Sequence, residues 1–118
     1  MTDTMRALIA GRGPDWVLDE VPVPEPGPGQ VLIRNRAAAV NNADLPMLAE
    51  ADPTAGGHGE EFVAGFEYAG EIAAVGDDAG DWRAGNPVMG SIPASFAEYV
   101  VADHRFVMPR PASLVPEI

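Results

Sequence analysis

Cysteine and lysine are both absent from this chain of 118 residues. Without cysteine there are no disulfides, no thiolate nucleophile and no cysteine-based zinc or iron–sulfur site. Without lysine there is no phosphate-binding loop of the Walker type, and no G-x-G-x-x-G run occurs, so the sequence carries no recognisable nucleotide site of its own. No stretch approaches the roughly 20 apolar residues of a membrane span, and Met1-Thr2-Asp3-Thr4 lacks the basic start of a secretion signal; a cytoplasmic location is the expectation. Positive charge is scarce altogether. Seven arginines face 18 carboxylates, for a formal net charge of −11. Such an excess repels a phosphate backbone and an anionic bilayer, so neither nucleic acid nor membrane is expected as a partner, and the acidity otherwise reads as a solvated surface.

What is present describes one globular domain over residues 1–118. Apolar residues make up 47% of the chain and charged residues 21%, a balance that supports a single core. The 13 glycines and 12 prolines fall between short apolar runs, which favours a β-rich architecture over a helical bundle.

The segment Met5–Ala10, closed by Gly11-Arg12-Gly13-Pro14, reads as a strand ending in a turn, and 16–23 as a second strand. Prolines at 22, 24, 26 and 28 deny regular ladder donors, making 22–29 an extended connector. Residues 30–37 alternate Val31, Ile33 and Asn35 against Leu32, Arg34 and Arg36, the pattern of a half-buried strand. Asn41-Asn42-Ala43-Asp44 carries helix-start chemistry, with asparagine as the cap, and predicts a short helix over about 42–49. Residues 51–61 show no period and are expected to form a mobile loop. Further strands are expected at 68–75, 87–90, 96–101 and 105–107. Six or seven short strands at this spacing suggest a small, partly open β-barrel with short helices.

Several fixed-order features then coincide: the Pro-rich run Val21–Gly29 leading into Gln30-Val31-Leu32-Ile33-Arg34, Ala39-Val40-Asn41-Asn42-Ala43-Asp44, Gly65-Phe66-Glu67-Tyr68-Ala69-Gly70, Val75-Gly76, and Ser95-Phe96-Ala97-Glu98-Tyr99-Val100-Val101. Over about residues 5–117 the chain resembles the amino-terminal GroES-like domain of the medium-chain dehydrogenase/reductase superfamily. In the zinc alcohol dehydrogenases of that family, the positions of Asn41 and Phe66 hold a metal-binding cysteine and histidine. A carboxamide is a poor zinc ligand and a phenyl ring has no donor atom, so no metal is expected here and the Lewis-acid route is closed.

Asn41 followed by Asp44 is instead similar to the zinc-free quinone oxidoreductases and enoyl reductases. The resemblance implies NADPH-dependent hydride transfer to a quinone or a conjugated carbonyl. It implies a small-molecule substrate, with Asn41 near the nicotinamide end of the cofactor and Asp44 holding the local helix around it. Phe66 and Glu67 are expected in the substrate cleft. Where many of those reductases carry a tyrosine, this chain has Asp52, a candidate proton donor if burial keeps it neutral and otherwise a turn residue. His58 and His104 are expected at the surface, and the tryptophans and phenylalanines in the core or cleft walls.

Hydride transfer requires the nicotinamide within reacting distance of substrate, and in this family a Rossmann domain does that holding. NADPH is therefore expected only where such a domain completes the assembly. Pro116-Glu117 reads as the first turn of a helix cut short at Ile118, which suggests a piece of a longer reductase. A separate subunit completed by a partner chain, and a stand-alone homo-oligomer with a non-redox role such as ligand binding, are the other expectations. Completion by another domain predicts bare apolar surface near residues 96–107 and the carboxyl end.

Overall fold

A computed structural model describes residues 3–111 and 113–116. The helix start read at Pro116-Glu117 depends on Glu117 and Ile118, which lie outside the described residues. Strand β1 (Thr4–Ala10) pairs antiparallel with β2 (Val17–Pro22), the bends at 11–15 reversing the chain between them. Met5, Ala7 and Ile9 of β1 point inward, as alternation requires. β2 is an edge strand, with Leu18 62% exposed.

The proline-rich connector has no regular structure until the turn at 28–29. β3 (Gln30–Ala37) follows and becomes an inner strand of the larger sheet, pairing with β5 (Glu67–Val75) on one side and β7 (Tyr99–Asp103) on the other. Val31 and Ile33 are fully buried, so the period-2 pattern in the sequence is the pattern of the core. β6 (Pro87–Ser91) and the two-residue β8 (Met108–Pro109) extend this sheet in the order β7-β3-β5-β6-β8. The smaller sheet has the order β2-β1-β4, with β4 at Phe62–Val63.

The two sheets meet where Ala7 bridges Ala97. Leu8 N–H donates to Phe96 O at 2.9 Å and Glu98 N–H to Arg6 O at 3.1 Å, while the Asn35 carboxamide reaches Ser95 O at 2.6 Å across the seam. The result is a partial GroES-like barrel, two antiparallel sheets without full closure among the described residues. Its main core is Val31, Ile33, Tyr68, Ile72, Val88, Val100 and their neighbours, capped by Trp82. Ala10, Leu48, Ala51, Trp16 and Phe62 form a second cluster, which seats the single α-helix described.

Four local expectations are corrected. The helix α1 spans Asp44–Ala51, two residues later than the pattern suggested, and no asparagine side chain caps it. Residues 53–55 form a 3-10 turn and 51–61 are pinned to the end of α1, with Gly57 N–H on Asp52 O at 2.7 Å and His58 N–H on Glu50 O at 3.0 Å. The run at 105–107 is no strand. Asp103 accepts the Arg105 N–H at 2.9 Å and starts a 3-10 turn over His104–Phe106, leaving Phe106 69% exposed rather than in a wall. His104 is half-buried rather than simply on the surface. Its Nδ1 lies 2.7 Å from Gly29 O, and since a carbonyl only accepts, that nitrogen carries the proton. The expected apolar surface is there: Phe106, Met108 and Val115 are 69%, 51% and 51% exposed.

Candidate functional site

Beyond Ala37 the chain leaves the sheet through Ala38, Ala39 and Val40, all exposed, and turns at Asn41 into α1. The turn is closed reciprocally. Asp44 N–H donates to Asn41 O at 3.0 Å, and Asp44 Oδ2 accepts the Asn41 N–H at 2.6 Å. The helix thus supplies its own start from its first residue, an acid that also complements the positive end of the helix. Asp44 is 3% exposed, and its second oxygen, Oδ1, is buried without a hydrogen-bond partner. Leaving such an acceptor unmet costs about 1–3 kcal/mol. The Asn41 side chain, half-buried, makes no hydrogen bond among the described residues and so keeps both a donor and an acceptor open.

Asp44 and Phe66 line one cavity of about 40 Å³, together with Met47, Phe62, Gly65 and Pro93. Gly65 fixes where Phe66 goes. Its φ is +103°, and a Cβ there would lie 2.5 Å from Ser95 Oγ and 2.6 Å from the backbone N of Phe96, so only glycine lets 64–66 pass this close to the seam. The cavity is large enough for a water and is walled mainly by apolar groups.

Asp44 therefore meets Phe66 at one cavity and Asn41 through its backbone, while Asn41 does not itself line that cavity; Glu67 and Asp52 lie apart from it. Glu67, the next residue along β5, lines a different and larger cavity of about 330 Å³, with Ala37, Ala38, Ala39, Met89 and Arg110. Asp52 is 4% exposed at the far end of α1, and its Oδ1 accepts from Thr54 N at 2.9 Å and Thr54 Oγ1 at 2.6 Å. That geometry caps the 3-10 turn at 53–55.

The electrostatics around the larger cavity are uneven. Burial pushes the Tyr68 phenol up to about 12, and its hydroxyl has no partner. The Glu71 carboxyl is held below the usual range chiefly by its hydrogen bond from Arg36, with Nε at 2.9 Å. Arg110 and Met47 were not singled out in the sequence, whereas Phe62 was expected in the core or a cleft wall and lines the cavity. Met47 could have been, since it lies three residues after Asp44 and shares its helix face. Among the described residues, no group of three or more histidine, cysteine, aspartate or glutamate side chains is arranged to hold a metal ion. No described helix is long and apolar enough to cross a membrane.

Residues 27–112 match the family model described as the alcohol dehydrogenase GroES-like domain. Prostaglandin reductase-3 of Bos taurus is 41% identical over 100 residues, covering 83% of this chain and 26% of that protein. An alcohol dehydrogenase of Rhizobium meliloti is 35% identical over 82 residues, covering 70% of this chain and 24% of that one. Among solved structures, the quinone oxidoreductase from Coxiella burnetii superposes with a TM-score of 0.84 at 25% identity, over 98% of this chain and 39% of that one. The chain spans about a quarter of the length of the curated relatives it matches.

Proposed function

The chain belongs to the alcohol dehydrogenase GroES-like domain family, and from that premise we propose that it is the substrate-side domain of a zinc-independent oxidoreductase that reduces a quinone or an α,β-unsaturated carbonyl with NADPH. The observation that carries this reading is the Asn41–Asp44 turn, whose buried acid shares a cavity with Phe66. Asp44 holds the Asn41 backbone N–H and leaves the carboxamide open, and neither the carboxamide nor the phenyl ring is a good ligand for zinc. The names of the prostaglandin reductase and quinone oxidoreductase relatives support it; the alcohol dehydrogenase relative keeps the metal-dependent branch as the contrast to test.

The residues fit the nicotinamide end of a dinucleotide. Asn41 offers one donor and one acceptor that no neighbour uses, and it does so without titrating. NADPH, when bound, supplies the hydride. Asn41 orients the reacting groups, and Asp44 fixes the Asn41 backbone so that the carboxamide presents one geometry. Phe66 and its apolar neighbours exclude water from the reacting end. Asp52 shapes the loop beside the helix, as its two bonds from Thr54 suit it to do. A nucleotide-binding domain, on the same chain or on a partner, docks over the exposed Phe106, Met108 and Val115.

A graft tests this reading: residues 1–118 replace the equivalent domain of the Coxiella burnetii quinone oxidoreductase, and NADPH oxidation is followed with a quinone and with an enone. Turnover in the graft, falling at least tenfold in kcat/KM with Asn41→Ala, is the expected result. A folded graft whose turnover ignores Asn41 contradicts it.

A further inference from the structure

The cavity of about 40 Å³ that Asp44 and Phe66 share has room for a water but not for a quinone or an enone. Part of its lining serves a second space. Val63, Pro93 and Ala94 also line a chamber of about 380 Å³, within the range of small-molecule sites. There the smaller sheet, through Met5 and Val21, faces β7 of the larger one, through Tyr99, Val100 and Val101. Pro93 and Ala94 are exposed, so the ridge between the two spaces reaches the surface.

The chamber is uncharged. Tyr99 has the only side-chain oxygen or nitrogen among the described residues that line it, and that hydroxyl already meets Arg34 Nε at 3.4 Å. A polar or ionic group brought there would lose its water without compensation, so the chamber selects hydrocarbon. The ridge is held from both ends. Ile92 N–H donates to Phe66 O at 2.6 Å and Phe96 N–H to Ala64 O at 2.8 Å, which pins residues 93–95 against the Ala64–Phe66 segment. Ala94 has a φ of +68°, a left-handed backbone that a side chain adopts only where its surroundings impose it. None of Phe106, Met108 and Val115 lines the chamber, which is therefore distinct from the surface assigned to a docking domain.

We propose that this chamber binds the hydrocarbon part of a neutral carbonyl substrate, an aryl or medium-length alkyl group, with the carbonyl end across the ridge on the Asp44 side. The identity of the carbonyl end rests on the reductase reading; the preference for hydrocarbon does not.

Carbon-labelled methionine methyl groups in the 118-residue chain report on each space separately. Met5 lines the chamber, Met47 the smaller cavity, and Met89 and Met108 the cavity at the end of the larger sheet. The probes are 4-phenylbutan-2-one and butan-2-one, which share a carbonyl end and differ by the ring. 4-Phenylbutan-2-one should move the Met5 resonance and leave Met89 and Met108 in place, with butan-2-one binding at least tenfold more weakly. Two substitutions that fill the chamber, Val21→Trp from β2 and Val101→Phe from β7, should each remove that preference. Both positions are half-buried on edge strands, so either variant serves if the other fails to fold. In the Coxiella burnetii graft the same substitutions should lower kcat/KM for 4-phenylbut-3-en-2-one at least tenfold and spare but-3-en-2-one. Equal affinity for the two ketones, no Met5 shift at millimolar ligand, shifts confined to Met89 and Met108, or a preference in binding or in kcat/KM that survives the filling substitutions overturns the proposal. A graft that reduces neither enone, while Met5 still shifts and the ring is still preferred, supports the chamber and overturns the redox reading instead.

Discussion

Asp44 carries two jobs with two oxygens. Oδ2 closes the Asn41 turn and Oδ1 is left buried and unmet. Asp44→Ala removes the side-chain hydrogen bond that closes the start of α1 and should cost about 1–2 kcal/mol in urea denaturation, in line with other helix caps. Asp44→Asn keeps an oxygen for the Asn41 N–H and should cost less. Tyr68 makes the opposite case. Its hydroxyl is buried without a partner, so Tyr68→Phe should be neutral or slightly stabilising at pH 7. The same residue gives a pH dependence with a definite sign. An unfolded tyrosine ionises near 10 and this one is held up to about 12, so over that window the unfolded chain sheds a proton that the folded one keeps, and stability falls as pH rises. Thermal scans should show a steeper alkaline loss for the wild type than for Tyr68→Phe; equal slopes would contradict the assignment. At this scale the sequence displayed Asn41 and Asp44 through their spacing, but Arg110 was invisible, because a proline-flanked arginine gives no sign of what lies beside it in space.

Elements were legible where one physical signal dominated. β3 shows strict alternation, and Val31 and Ile33 are fully buried in the core that pattern implies. Ile33→Ala should therefore cost about 3 kcal/mol by denaturant unfolding, the range for emptying a well-packed core position. Gly70 is equally constrained, since a Cβ there would lie 2.0 Å from Arg34 O across the β3–β5 pair; Gly70→Ala should lower the unfolding midpoint markedly. Of the two 3-10 turns the sequence offered only Asp52, as a turn residue, and the extent of both was hidden for one shared reason. In each, an aspartate side chain, Asp52 or Asp103, folds back onto a backbone N–H two residues on, a local bond that leaves no hydrophobic period to read. For the same reason 51–61 looked like a free loop, although its amides return to the end of α1. Phe106 was misplaced because an aromatic next to a strand pattern was read as core, whereas the 3-10 turn sets its ring outside, under the Arg105 guanidinium at 5.8 Å.

At the scale of the whole molecule, a half-open barrel seats one short described helix, and Asp44 at its head holds the Asn41 turn and lines a cavity with Phe66. The backbone around that place superposes on a quinone oxidoreductase with a TM-score of 0.84. The central claim is thus a chemical one, conjugated-carbonyl reduction without zinc, and the Coxiella graft measures it when assayed before and after exhaustive chelation. The account predicts NADPH-dependent reduction of a quinone or enone at a rate unchanged by chelator and unimproved by added zinc. Turnover that collapses on chelation and returns with zinc would contradict it.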